Sequence, residues 1–113
     1  MRVLAFEDTY DIEAILTAGG LDTASMLLEQ RWNSTDALHH IERFKPDILL
    51  LDHYMPPESG MEVLDSLLTS LLQRPTTIVA MSSEEGKNQA MVQRGADIGI
   101  VKFDLASLPH WTT

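Results

Sequence analysis

Residues 46–61 read PDILLLDHYMPPESGM, and the architecture of the chain follows from them. Ile48, Leu49, Leu50 and Leu51 form an apolar run with no polar alternation. A strand on a half-solvated sheet alternates, whereas one covered on both faces, as in the middle of a parallel sheet, does not. The run stops at Asp52, and the segment from His53 to Gly60 holds Pro56, Pro57, Ser59 and Gly60, which favour loops. Beyond it Met61, Val63, Leu64, Leu67, Leu68 and Leu71 recur at helical spacing until Pro75 breaks the pattern. Strand, loop and helix in that order are the first half of a right-handed βαβ unit.

The alternation extends in both directions. Toward the N-terminus, Asn33-Ser34-Thr35 reads as an N-cap cluster for a helix carrying Ala37, Leu38, Ile41 and Phe44. Val3 to Phe6 is a short apolar run that ends abruptly in Glu7 and Asp8. Asp8 or Thr9 can cap a short helix through Ile12, Ile15 and Leu16, stopped by Gly19-Gly20, and Ser25 to Leu28 predicts a further strand. Toward the C-terminus, Thr76 to Met81 predicts a strand, Ser82 to Glu85 a loop, Gln89 to Arg94 a helix ended by Gly95, and Ile98 to Val101 a last strand ended by Lys102. Strands and helices alternate throughout, which predicts an α/β, open, doubly wound parallel sheet of five strands.

The chain of 113 residues suffices for one domain, expected over residues 1–113, and for a core that needs no disulfide or structural metal. There is no Cys, so thiol nucleophiles, zinc knuckles and disulfide frameworks are excluded. Eight Lys and Arg against seventeen Asp and Glu give a net charge of −9, which repels a nucleic-acid backbone rather than neutralising it. Acids at Glu7, Asp8 and Asp11 interrupt any N-terminal signal peptide, and the longest aliphatic run, Ile48–Leu51, is far too short to span a bilayer. A cytoplasmic protein with no membrane partner is expected, with no internal repeat or linker.

Chemistry converges where the apolar runs end. Glu7 and Asp8 follow the first, Asp52 the third, Ser82 the fourth and Lys102 the fifth. In open α/β sheets ligands bind outside the carboxyl ends of the strands. One polar residue at a strand end is punctuation; acids, a hydroxyl and a base along one edge point to a site. Carboxylates brought together repel, and a hard divalent cation such as Mg2+, which takes oxygen ligands, relieves the repulsion. A carboxylate beside such an ion can attack a phosphoryl group in line, while metal, hydroxyl and ammonium neutralise the phosphoryl oxygens. Asp52, Ser82 and Lys102 supply that set.

The pieces VLAFED (residues 3–8), PDILLLDHYMPPESGMEVL (46–64), IVAMSS (78–83) and GADIGIVK (95–102) together resemble a receiver domain of the two-component response regulators, over nearly the whole chain. The resemblance implies a flavodoxin-like strand order 2-1-3-4-5. It implies that Asp52 is the phosphoacceptor, and that Asp8, Asp52 and the backbone carbonyl of Tyr54 ligate Mg2+, with Glu7 acting largely through water. Ser82 then corresponds to the hydroxyl that bonds the phosphoryl group, and Lys102 pairs with phosphate after phosphorylation and with a carboxylate before it. The implied partner is a histidine kinase or phosphotransfer protein. The implied role is that of a stoichiometric phosphoacceptor assisting its own phosphorylation and dephosphorylation, not of an enzyme.

Several positions depart from the family pattern. The aromatic residue usual three positions before the lysine is Gly99 here, and the usual proline after it is Phe103, so a trans bond is expected there. Phe103 reads as core filler or as a substitute aromatic. The segment from Ser82 to Gly95 is slightly short. Only Asp104 to Leu108 can start a last helix before Pro109, so that helix is expected to be truncated or missing. Apolar surface beside the first helix and last strand would then need a second copy, a swapped segment or a neighbouring domain. Gly99, Phe103 and the short end motivate a second reading, a protein-interaction module in which phosphorylation drives no aromatic switch. A third, an Asp-nucleophile phosphatase, lacks the paired aspartates around its nucleophile, because His53 and Tyr54 follow Asp52. Tyr54 and Glu84 are expected at the rim of the site, and His39-His40 on the surface.

Overall fold

The computed structural model describes residues 1–111. Its elements are β1 (Arg2–Phe6), α1 (Ile12–Ala18), β2 (Leu27–Arg31), α2 (Ala37–Phe44), β3 (Ile48–Leu51), α3 (Gly60–Thr69), β4 (Thr77–Ala80), α4 (Glu85–Arg94) and β5 (Ile98–Gly99), followed by 3-10 helices Lys102–Ser107 and Pro109–Trp111. The sheet is wholly parallel, in the order β2-β1-β3-β4-β5, as expected from the sequence. Side chains alternate across it. Leu4, Phe6, Leu49, Leu51, Ile78 and Ala80 face α2, α3 and Met91 of α4. Val3, Ala5, Leu50, Val79 and Met81 face Ile12 and Leu16 of α1 together with Leu105 and Leu108. No helix among the described residues is long and apolar enough to cross a membrane.

Register sets the site. Phe6 pairs with Leu51, and Leu51 pairs with Ala80. The residues that follow, Glu7 after β1 and Asp52 after β3, therefore leave the sheet at one level.

Several elements differ from the sequence expectation. The second strand lies at Leu27–Arg31 rather than Ser25–Leu28. Asp22 accepts from the Ala24 N–H and Met26 donates to the Thr23 carbonyl, so a turn occupies the expected start. The strand then runs on through Glu29, Gln30 and Arg31, polar residues that a sheet edge tolerates. Helix α4 starts at Glu85, before the expected Gln89. Helix α3 ends at Thr69, leaving Leu71 outside it and fully exposed. The cap of α1 is Asp11, whose carboxylate accepts from the Ala14 N–H; Asp8 and Thr9 lie in the preceding loop.

Asn33-Ser34-Thr35 does not cap α2, whose N-cap Asp36 makes no side-chain cap bond. The buried Ser34 hydroxyl instead donates to the Glu58 carbonyl and accepts from the Glu58 N–H, both at 2.7 Å. Helix α3 has the strongest start signal: the Ser59 hydroxyl accepts from the Glu62 N–H, and Glu62 accepts in return from the Ser59 N–H. Ser59→Ala is expected to cost about 1 kcal/mol of stability, read as a lowered urea midpoint.

The last helix is replaced by the two 3-10 helices. Contrary to expectation, the flank of α1 and β5 is not left open. Leu105 and Leu108 are buried there, and the Trp111 indole packs against the same cluster while its N–H donates to the Leu105 carbonyl at 2.9 Å. The chain's own tail supplies cover on this flank, with Ile98, Ile100 and Trp111 partly buried in the same cluster. Phe103 is neither core filler nor an inward aromatic: it is 56% exposed, with its ring edge-on to Tyr10 at 5.2 Å. The one cis peptide among the described residues joins Pro56 to Pro57, so the bond before Phe103 is trans, as expected.

Candidate functional site

The carboxyl ends of β1, β3, β4 and β5 form one edge. Glu7 is fully buried. Its Oε2 accepts from the N–H groups of Thr9 at 2.9 Å and Tyr10 at 3.2 Å, and its Oε1 meets the Lys102 ammonium at 2.5 Å. Gln30 steadies this loop from β2, donating to the carbonyls of Glu7 and Tyr10 and accepting from the Ile12 N–H. Asp8 is exposed beside it, accepting from the Thr9 hydroxyl at 3.0 Å.

Asp52 is 4% exposed, and its N–H continues the sheet to the Phe6 carbonyl at 3.1 Å. The chain turns at once, because the Gly60 N–H donates back to the His53 carbonyl at 2.8 Å. A Cβ on Gly60 would stand 1.9 Å from the Asp52 carbonyl oxygen, so only glycine fits at the start of α3. Ser34 clasps the same loop through Glu58, as described above.

Lys102 is also only 4% exposed, and its ammonium lies 3.5 Å from Asp52 and 5.2 Å from the Tyr10 ring centre. One buried ammonium thus faces two buried carboxylates. Burial, and then the neighbouring Glu7 carboxylate, push the Asp52 carboxyl up to about 6, against the opposing pull of Lys102. Oxygens of Glu7, Asp8 and Asp52 lie within 4.8 Å of one another, a group that could hold a metal ion. The donor set suits a hard divalent cation: all three groups are carboxylates, and the exposed Asp8 leaves a side open to water. With all three ionised, the single ammonium leaves two negative charges, which a divalent ion would balance.

Ser82 is fully buried, and its hydroxyl oxygen accepts from the Glu84 N–H at 3.1 Å. A cleft of about 700 Å³ opens over the edge, lined among others by Asp8, Tyr10, Asp52, Tyr54 and Lys102. The Tyr54 hydroxyl donates to Glu84 at 3.0 Å across the rim, and that carboxylate raises the phenol above its ordinary value. The His53 ring stacks edge-on to Tyr54 at 4.8 Å; burial, with Lys87 nearby, lowers its imidazole below the ordinary value. Glu7, Asp8, Asp52 and Lys102 therefore gather at one edge; Ser82 follows β4 there but is fully buried, and it is Ser83 that lines the cleft. Sequence reading missed Gln30, Ser34 and Asn88, which hold the loops rather than line the cleft. Asn88 carried a signal, an amide one turn before Met91 on an inward helix face.

Comparison with known proteins places this geometry. The sequence matches the response regulator receiver domain over residues 3–108. It is 35% identical over 106 residues to the protein-glutamate methylesterase/protein-glutamine glutaminase of Escherichia coli strain K12, covering 91% of this chain and 29% of that protein. It is 26% identical over 107 residues to a protein of the same description from Rhizobium johnstonii, covering 94% of this chain and 28% of that one. The chain spans less than a third of the length of these curated relatives. Among solved structures, the response regulator domain of Thermotoga maritima CheB superposes with a TM-score of 0.69 at 25% identity, covering 90% of this chain and 78% of that one. The receiver domain of Francisella response regulator 1452 shares the fold with a TM-score of 0.74 at 19% identity, covering 94% and 90%. With its parallel sheet in the order 2-1-3-4-5 and its acids and lysine at the strand ends, the chain belongs to the response regulator receiver domain family of two-component signalling.

Proposed function

We propose that this domain, residues 1–113, accepts a phosphoryl group on Asp52 from a phosphohistidine of a histidine kinase or phosphotransfer protein in the cytoplasm. The observation that carries this reading is the buried Asp52 carboxylate at the end of β3, set between the acids that follow β1 and the ammonium of Lys102. An Asp52 oxygen forms the new P–O bond as the P–N bond to the donor imidazole breaks; the electron pair stays on that nitrogen, which takes up a proton. Lys102, freed from one carboxylate, donates to a phosphoryl oxygen, and the Ser82 hydroxyl donates to another. Glu7, Asp8 and Asp52, with the Tyr54 backbone carbonyl, would hold Mg2+, which supplies charge neutralisation at the phosphoryl oxygens when bound. The reading makes the domain a stoichiometric acceptor. Its relatives are long esterases of which it matches a minor part, so any catalytic output is a separate matter.

The test is incubation with acetyl phosphate and Mg2+, followed by hydroxylamine trapping and mapping of the adduct. A hydroxylamine-sensitive label at Asp52 that requires Mg2+ is expected. A label elsewhere, or none, defeats the proposal.

One observation favours the second reading, an interaction module without an aromatic switch. A Cβ on Gly99 would stand 2.9 Å from the Cβ of Asn88, so α4 fills the space a larger residue would need. That reading predicts partner affinity unchanged by beryllofluoride.

A further inference from the structure

Asn88 is an amide in the apolar seam beneath α4, and it is 1% exposed. Burying such a group without partners is costly, because its lost bonds to water are not replaced. It has three. Its Oδ1 accepts from the Ser82 N–H at 2.7 Å, and its Nδ2 donates to the Ser82 carbonyl and to the Ile100 carbonyl, both at 2.9 Å. One donor and two acceptors around the amide leave it a single workable orientation. The Ser82 carbonyl also accepts from the Lys102 N–H at 3.3 Å. One side chain thus grips the main chain on both sides of the Ser82 α-carbon and ties it to the segment leading to Lys102.

Gly99 makes the grip possible. The backbone of β5 comes so close to α4 that any Cβ at position 99 meets Asn88, at 2.9 Å from its Cβ and 3.3 Å from its backbone carbonyl. A larger residue would push α4 away and draw the amide off Ser82.

We propose that Asn88 is a positioning residue of the phosphoryl site: it locks the Ser82 main chain to α4 and to the Ile100 carbonyl, which sets how the Ser82 hydroxyl meets a phosphoryl group on Asp52. The proposal rests on the reading of Asp52 as phosphoacceptor. A serine hydroxyl hangs on one rotatable bond, so its reach is decided by its main chain. That oxygen accepts from Glu84, which leaves its proton to be donated to an incoming oxygen. Asn88 touches none of Glu7, Asp8 or Asp52, so loss of its amide affects phosphoryl recognition and leaves cation binding alone.

The experiment measures two affinities on the same purified variants: Mg2+ alone, and beryllofluoride at saturating Mg2+. Asn88→Ala is expected to weaken beryllofluoride by about tenfold while Mg2+ affinity stays within about twofold. Ser82→Ala should produce a loss of similar size, and the double variant no further loss, because the two changes remove one unit. Gly99→Ala keeps the amide and moves it; about threefold weaker beryllofluoride with unchanged Mg2+ is expected, and this variant decides the matter if Asn88→Ala does not fold. Unchanged beryllofluoride affinity, a parallel loss of Mg2+ affinity, or additive losses in the double variant overturns the role of Asn88. Failure of the unmodified protein to bind beryllofluoride overturns the phosphoacceptor reading instead.

Discussion

Asp52→Asn is expected to abolish acyl phosphate formation and, without divalent cation, to make the protein more stable. The first part follows because a carboxamide offers no nucleophilic oxygen to phosphorus. The second follows from burial. Asp52 shares one ammonium with the fully buried Glu7, and its carboxyl is pushed up to about 6. For an acid whose folded value is raised, the stabilising form is the protonated one. Its contribution is complete below the unfolded value, about 3.9, and is lost as pH rises through the folded value. At neutral pH the folded protein therefore bears the full cost of the ionised group. Asparagine keeps the shape and removes the charge, so a gain of about 1–3 kcal/mol is expected at neutral pH, shrinking toward pH 4. Urea unfolding in chelator, at neutral and acid pH, measures it. Mg2+ should reverse the order by stabilising the unmodified protein more than the variant. A variant that is less stable at neutral pH without Mg2+ would sink the electrostatic account.

Lys102→Met is the complementary change. Methionine fills much of the lysine stem and removes only the charge and its hydrogen bonds. It leaves Glu7 and Asp52 buried against each other with no cation between them. Breaking a buried ion pair from one side costs roughly 3–5 kcal/mol, because the abandoned charge stays desolvated. The loss should be largest at neutral pH and smaller near pH 5, where Asp52 can take up a proton. Mg2+ should recover part of it by supplying positive charge to the same acids. Thermal and urea unfolding over this pH range, with and without Mg2+, checks all three statements. A loss below about 1 kcal/mol at neutral pH would show that the ammonium does not offset the buried acids. The double variant with Asp52→Asn should be milder than Lys102→Met alone, since one buried charge has gone.

Much of this was legible from the chain. The uniform run Ile48–Leu51 reads as an interior strand and is one, and the strand-end acids and Lys102 gather at the expected edge. Edges and termini were harder. The second strand slipped because Glu29, Gln30 and Arg31 look unlike a strand, yet a sheet edge accepts them half-buried, with Gln30 spending its amide on the loop after β1. Ser34 looked like a helix cap and became a loop clasp, because its hydroxyl reaches a partner 24 residues away. Such pairings are properties of the assembled fold, and local propensity carries no trace of them. The tail misled for a related reason. Leu105, Leu108 and Trp111 lack the length for a helix, but short 3-10 turns bury Leu105 and Leu108 beside α1 and pack the half-buried Trp111 against them.

The phosphoryl-facing groups differ in how much slack they carry. Lys102 starts the 3-10 helix that covers α1, and a four-carbon stem separates its charge from the backbone. The ammonium can swing through a few ångströms by rotating that stem while Leu105 keeps its seat. Ser82 has one rotor, and Asn88 pins its main chain to α4. Any larger movement of that hydroxyl must carry backbone with it. The two sides of the domain are therefore mechanically unequal: the α1 flank is insulated by a compliant lever, while the α4 side is joined to the site by a stiff rod.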